Sequence, residues 1–64
     1  MIYQKGIYQN IETLYKVKIW DIYKNGKYKF YVMSFLNNPA FGKYQFTLPA
    51  KGVRYFMKGY RKIK

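Results

Sequence analysis

The side chains on which most enzymes rely are scarce in this sequence. It contains no His and no Cys, and Glu12 and Asp21 are its only carboxylates. General bases and nucleophiles are most often His, Cys or a carboxylate placed beside a partner, and a two-carboxylate or metal-dependent site needs acidic groups held together. The five glycines lie singly, so no Gly-rich phosphate loop is present. We therefore expect no enzymatic activity, no catalytic residue, and no metal or other cofactor.

Lysines and aromatic rings are abundant instead. The chain has 13 Lys and Arg residues against two acidic residues, a formal net charge of +11, and 23% of its residues are aromatic. This charge repels itself in a compact state, and a polyanion would relieve the repulsion. Cations contact phosphates, whereas aromatic rings stack on unpaired bases at about 1–3 kcal/mol per base. The combination predicts nucleic acid as the partner, with an anionic membrane as the next polyanionic surface.

The stretch IWDIYKNGKYKFYV, residues 19–32, predicts the hairpin that would position these side chains. Asn-Gly between two runs rich in β-branched and aromatic residues is the strongest short-range hairpin signal. The runs predict strands over 14–23 and 28–36. With Asn25 and Gly26 as the two central residues of a type I′ turn, Lys24 lies opposite Lys27 and Trp20 lies opposite Tyr31.

Alternation along these strands gives two different faces. One is a predicted core face with a single charge, formed by Tyr15, Val17, Ile19, Asp21, Tyr23, Tyr28, Phe30, Val32 and Leu36. The other, which also includes Ile22, mixes cations with apolar rings: Lys16, Lys18, Trp20, Lys24, Lys27, Lys29, Tyr31, Met33 and Phe35. This second face is either a binding surface for something anionic and flat, or a surface packed under a C-terminal helix with its lysine stems extending to solvent.

The rest of the chain predicts one more strand and one helix. NNPAFG, residues 37–42, is a loop by composition, and residues 43–48 alternate as a strand. After Pro49, apolar residues recur at helical spacing as far as Ile63, although a fourth strand over 53–57 competes with the helix because of Gly52 and Gly59. The repeated triplet IYQ near the start is either chance or a short strand. We expect a single α+β domain over 1–64: a small antiparallel β-sheet of three to four strands, with a central Asn-Gly hairpin, followed by a C-terminal amphipathic helix.

The order of these elements resembles the transcriptional coactivator PC4 family of single-stranded-DNA-binding proteins. The similarity covers about the last three-quarters of the chain and lies in GKYQFTLPAKGVRYFMK, with Gly42-Lys43, Thr47-Leu48, Val53, Phe56 and Met57 at the matching positions. It implies a homodimer whose strands form a basic channel for single strands. NGKYKFYV followed by GK is also similar to the arm-DNA-binding modules of phage-type integrases, and FLNNPAFGKYQFTLP is similar to small archaeal chromatin proteins.

The sequence therefore predicts a small basic protein that binds nucleic acid, with single-stranded DNA favoured, through a sheet face of lysines and aromatic rings. The candidate binding residues are Lys16, Lys18, Trp20, Lys24, Lys27, Lys29, Tyr31, Phe35, Lys43 and Arg54. Two alternatives stay open: a β-sheet module that binds duplex DNA, and a small viral interaction or inhibitor module that targets an acidic host protein. A cationic helix lying on anionic lipid is a third.

We further expect a homodimer, a viral or mobile-element origin and a cytoplasmic location. The sequence contains no run of about 18 apolar residues, so we expect no membrane span. The N-terminal stretch lacks the apolar core and cleavage site of a secretory signal, so we expect no such signal.

Overall fold

The computed structural model describes residues 3–64 and contains one five-stranded antiparallel sheet and one short helix. The strands are β1 (Gly6–Asn10), β2 (Lys16–Asn25), β3 (Tyr28–Phe35), β4 (Gln45–Pro49) and β5 (Tyr60–Lys62), and the helix α1 (Ala50–Phe56) lies between β4 and β5. The strand order across the sheet is β4-β3-β2-β1-β5. The predicted α+β class is confirmed, with one strand more than the sequence indicated. The second IYQ triplet lies in β1, whereas the first begins at Ile2, outside the described residues.

The central hairpin forms where it was predicted, but its turn is displaced by one residue. Asn25 pairs with Tyr28, so Gly26 and Lys27 are the two central residues. Gly26 has a φ of 64°, and a glycine with positive φ at the first central position is typical of a type II′ turn. Lys24 consequently pairs with Lys29, and the predicted pairing of Lys24 with Lys27 is wrong.

A β-bulge in β2 changes the register a second time. Ile19 pairs with Met33, whereas Asp21 pairs with Val32, which leaves Trp20 as the additional residue. A bulge of this kind lets side chains on either side of it share a face although an odd number of positions separates them. Ile22 therefore joins Ile19 on one face, and Tyr31 pairs with Ile22. The predicted placement of Trp20 opposite Tyr31 is wrong.

Helix α1 packs against β3 and β4 and covers one side of the sheet, which we call the helix face. Its strand residues are Tyr8, Val17, Ile19, Ile22, Tyr31, Met33, Phe35, Phe46 and Leu48. Together with Val53 and Met57 from the helix segment, the most buried of them form the core. Tyr31 and Met33 are 2% and 0% exposed, so for these two residues the sequence alternative of packing under the helix is the correct one.

The C-terminal segment is a short helix followed by an edge strand. Val53 and Met57 are buried as helical spacing predicted, and the competing strand over 53–57 is wrong. The helix nevertheless ends at Phe56, the chain turns at Gly59 with a φ of 82°, and β5 pairs with β1. The predicted extension of the helix to Ile63 is therefore wrong. Within residues 3–64, the helix is too short to cross a membrane.

Candidate nucleic-acid interface

Within residues 3–64, no helix or strand covers the side of the sheet opposite α1, and we call that side the open face. By the observed register it carries Ile7, Gln9, Lys16, Lys18, Trp20, Asp21, Tyr23, Phe30, Val32, Ser34, Gln45, Thr47 and Arg61. At about 4.8 Å between neighbouring strands, five strands make this surface about 19 Å wide. The buried side of the sheet is set by the hydrophobic pattern, because the most buried apolar strand residues, among them Val17, Ile19 and Met33, lie on the helix face.

Trp20 lies on the open face in a fixed orientation. Its side chain is 50% exposed, and its indole Nε1–H donates a hydrogen bond of 2.6 Å to Oγ of Ser34 on the neighbouring strand. Ser34 itself is only 6% exposed. The Lys18 ammonium lies 3.7 Å from the centroid of the indole ring. The ring is thus presented to solvent with one edge held and one cation above it.

A depression of about 440 Å³ lies beside this tryptophan. Its lining combines an indole, two ammonium groups, a hydroxyl and a carboxamide with apolar walls: Ile7, Lys18, Trp20, Ser34, Phe35, Leu36, Lys43 and Gln45. A flat ring can stack on the indole, a polar edge can bond to the carboxamide of Gln45, and an anion can contact the ammonium groups. These are the groups that contact an unpaired nucleotide.

A second aromatic platform lies further along the hairpin on the same face. The rings of Tyr23 and Phe30 are stacked, with centroids 5.5 Å apart and planes inclined by 24°, and Tyr23 is 44% exposed. Three residues of strand separate Tyr23 from Trp20, a distance of about 10 Å. The sequence analysis assigned both residues to the core face, which is wrong because the bulge at Trp20 reverses the alternation.

The electrostatic balance of the open face is positive. It carries Lys16, Lys18 and Arg61, and Lys43 at the rim of the depression, against the single carboxylate of Asp21. Asp21 lies 3.8 Å from the ammonium of Lys5, and both side chains are more than 60% exposed. An exposed ion pair of this kind contributes about 0–1 kcal/mol to stability. The Asp21 carboxylate offsets one positive charge, and the net charge of the open face stays positive.

The structure brings four of the predicted binding residues together. Lys16, Lys18 and Trp20 lie on the open face, and Lys43 lines the depression beside Trp20. Ser34 and Gln45 complete that lining and were missed. The sequence signal for these two residues was the spacing of Ile19 and Ile22. Three positions separate these apolar residues in a strand of period two, which indicates a bulge and therefore a changed pairing with β3.

The remaining predicted residues lie elsewhere. Tyr31 is buried in the core. Phe35 adjoins the depression beside Trp20, but its ring packs against Phe41, Phe46 and Phe56 at the edge of the helix face. Their placement on the lysine face is wrong, because the bulge at Trp20 shifts the pairing of β2 with β3 by one residue and puts both on the helix side of β3. The other four are cations outside the open face: Lys24 and Lys29 on the helix side of the hairpin tip, Lys27 in its turn and Arg54 on α1.

The two tyrosines with a perturbed pKa do not belong to this interface. Burial raises the pKa of the Tyr8 phenol and that of the Tyr60 phenol. Both residues pack on the helix side. Within residues 3–64, no cluster of three or more potential metal ligands is found.

Comparison of the chain with protein-family models, curated protein sequences and solved structures found no match.

Proposed function

We propose that this protein binds single-stranded nucleic acid, with DNA favoured, through the open face of its sheet. The observation that carries the proposal is the half-exposed Trp20, held by Ser34 in a depression that also presents Lys18 and Lys43. Single exposed apolar side chains are common on protein surfaces and need no function. Here the indole donates a hydrogen bond to Ser34, has the Lys18 ammonium above its ring and shares its depression with Lys43, an arrangement suited to base stacking and phosphate contact.

The magnitudes favour a transfer of Lys18 from the indole to a phosphate. An exposed cation–π contact contributes about 0.5–1 kcal/mol. Stacking of one base on an aromatic ring contributes about 1–3 kcal/mol, and a phosphate contact adds counterion release. A nucleotide that stacks on Trp20 and draws the ammonium onto its phosphate therefore gains more than the free protein loses.

The same geometry favours single strands over a duplex. The faces of paired bases are covered by their neighbours, whereas an unpaired base offers a free face to a ring on a sheet. Trp20 and Tyr23 lie on one face about 10 Å apart along β2, so a strand running along the hairpin meets two aromatic platforms in succession.

A fluorescence titration tests the proposal directly, because Trp20 is the only tryptophan in the chain. Equal lengths of single-stranded DNA, duplex DNA and single-stranded RNA are added at one salt concentration. We expect single-stranded DNA to quench the fluorescence most strongly and duplex least. Ile11→Ala serves as the control variant, since Ile11 is a 61% exposed apolar residue in the β1–β2 turn. Equal quenching by duplex would overturn the single-strand preference, and no quenching by any of the three would overturn the function.

We also propose that two copies of the chain associate. Six residues beside the β4 edge line an apolar depression of about 260 Å³, with Phe41 and Tyr44 strongly exposed: Phe35, Phe41, Tyr44, Phe46, Leu48 and Phe56. The net charge of +11 opposes association of free chains, and bound polyanion removes this opposition. Sedimentation with and without single-stranded DNA tests the idea. A monomer in both conditions at high protein concentration would contradict it.

A cytoplasmic location and an origin in a virus or other mobile element complete the proposal. Unpaired strands of a replicating element would be the ligand there. Fractionation of cells that express the chain at native level, with probing of the cytoplasmic and membrane fractions, tests the location.

A further inference from the structure

The outer surface of α1 carries a second basic cluster, away from the open face. Lys51, Arg54, Tyr55 and Lys58 line a depression of about 290 Å³. The Tyr55 ring is 69% exposed, and the Lys58 ammonium lies 5.2 Å from its centroid. A cation beside an exposed aromatic ring thus occurs twice in the described residues, once with Trp20 and once here.

The charges of this helix surface are not balanced within the protein. Cations three or four positions apart on a helix repel each other at a cost of a few tenths of a kcal/mol per pair. The first turn of α1 has no acidic residue. The chain has only two carboxylates: Glu12 lies in the β1–β2 turn, and Asp21 lies on the open face. An anion supplied from outside is therefore the group that complements this surface.

The helix surface and the open face lie on opposite sides of the molecule. Val53 and Met57 of the same segment are buried against the sheet, so the side of α1 that carries Arg54 and Lys58 faces away from it. The two shorter dimensions of the Cα trace are 22 and 19 Å. Two basic surfaces are thus held on opposite sides of one sheet–helix pair.

We propose that the helix surface binds the phosphate backbone of a second nucleic-acid segment, so that one molecule bridges two strands. This inference rests on the proposed function of the open face. The occupant follows from charge complementarity and from the local chemistry: three cations spread over α1 and the turn that follows it match a row of phosphates, and the exposed Tyr55 offers an unpaired base a ring. Arg54, which the sequence analysis grouped with the hairpin lysines, belongs to this second surface.

Bridging is tested with short oligonucleotides of about eight bases, within the range of site sizes for small single-strand binders. Half of them carry a fluorescence donor and half an acceptor. With wild-type protein, the first oligonucleotide to bind should quench the fluorescence of Trp20. Binding of a second oligonucleotide to the same molecule should then produce energy transfer between the two. The stoichiometry should be two strands per chain, measured by sedimentation of the same mixture.

The decisive variant combines Lys51→Gln, Arg54→Gln and Lys58→Gln. We expect it to keep the quenching of Trp20, to weaken the second step at least about tenfold through the lost phosphate contacts, and to lose energy transfer. The matched control combines Lys24→Gln, Lys27→Gln and Lys29→Gln, which removes the same charge from the hairpin tip. The control should retain energy transfer. Circular dichroism of each variant verifies its fold.

The outcomes separate the two proposals. Quenching of wild-type Trp20 without energy transfer overturns bridging and leaves the open-face function in place. Energy transfer that survives in the helix variant also overturns it, because two open faces of a dimer would then account for bridging. Loss of energy transfer in both triple variants shows an effect of total charge and likewise overturns it. Absence of quenching by any strand overturns the open-face function and, with it, this inference.

Discussion

Trp20 and Tyr31 show how differently two aromatic residues on neighbouring strands can behave. Trp20 is half exposed, whereas Tyr31 is 2% exposed in the core. We expect Trp20→Ala to weaken binding of single-stranded DNA by about 1–3 kcal/mol with little change in melting temperature. Tyr31→Ala should cost about 3–5 kcal/mol of stability, a large part of what a small domain has. Melting and titration of the same samples measure both. A Trp20→Ala variant that melts and binds as wild type does would contradict the assignment.

Ser34 is a positioning residue in this scheme, because it acts on the ligand through Trp20. Its Oγ accepts the hydrogen bond that the indole Nε1–H donates, so Ser34→Ala should let the ring reorient and leave the Nε1–H to solvent. We expect a shifted emission maximum of Trp20 and a loss of affinity smaller than that of Trp20→Ala, at a stability cost of about 1 kcal/mol. Thr47→Ala on the same face is the control. Unchanged emission in Ser34→Ala would show that the bond does not hold the ring.

The buried phenol of Tyr8 links stability to alkaline pH. Burial raises its pKa above the ordinary value of about 10, so the folded protein retains a proton that the unfolded chain releases in this range. The contribution of this phenol to the free energy of unfolding is therefore constant below about pH 10. It falls as the pH rises from about 10 through the raised pKa. The comparison is with Tyr8→Phe, which removes this phenol and keeps every other titratable side chain.

The phenol also donates a hydrogen bond of 2.8 Å to the carbonyl oxygen of Gln4. Tyr8→Phe should therefore be less stable than wild type near neutrality by about 1 kcal/mol. The stability advantage of wild type should stay constant up to about pH 9 and shrink above about pH 10. Urea denaturation across this range measures it. A difference that grows with pH would contradict the effect of burial.

At the scale of elements, the sheet depends on the close approach of β1 to the C-terminal segment. Gly6 has a φ of 148°, and a Cβ at this position would collide with the carbonyl oxygen of Lys64 and lie 2.9 Å from Cε of Lys62. The same carbonyl accepts a hydrogen bond of 3.2 Å from the amide of Ile7. A side chain on Gly6 must therefore displace backbone that pairs with β1.

We expect Gly6→Ala to destabilise the protein by more than Gly42→Ala. Gly42 also has a positive φ, of 61°, but a Cβ there meets no atom within 4 Å. Gly42→Ala should therefore lower the free energy of unfolding only by the cost of a positive φ in a residue with a Cβ, about 1–2 kcal/mol. Gly6→Ala should have a similar backbone cost and, in addition, the cost of the collision. Urea denaturation of both variants compares them. Equal losses would show that the approach of the C-terminal segment contributes nothing to stability.

At the scale of the whole molecule, charge governs binding. The affinity for single strands should fall linearly in log K against log salt, by about 0.7 for each phosphate neutralised. Lys18→Ala should reduce the magnitude of this slope by about 0.7, the value for one phosphate contact. Lys24→Ala, on the other side of the hairpin, should change the slope less. The chain has no His, so affinity should be constant from about pH 5.5 to 8. Titrations over a salt series measure the slopes, and affinity independent of salt would exclude phosphate contact.

The sequence by itself determined the class of fold, the hairpin, the helix after Pro49 and the excess of positive charge. These features depend on local signals: Asn-Gly, alternation within short runs, helical spacing and composition. The presence of Trp20 beside Lys16 and Lys18 on one face was also predictable, because these three residues precede the register shift.

Only the tertiary structure decided which rings were core and which were surface. A shift of one residue moves every following side chain to the other face, and the bulge at Trp20, which makes that shift, depends on pairing with β3. Tyr31 and Met33 therefore lie under α1, whereas Tyr23 and Phe30 share the open face with Trp20. The segment after Gly59 likewise became a strand because the edge of β1 offered unpaired backbone groups to it. Such choices are made by contacts between distant parts of the chain, which local patterns do not specify.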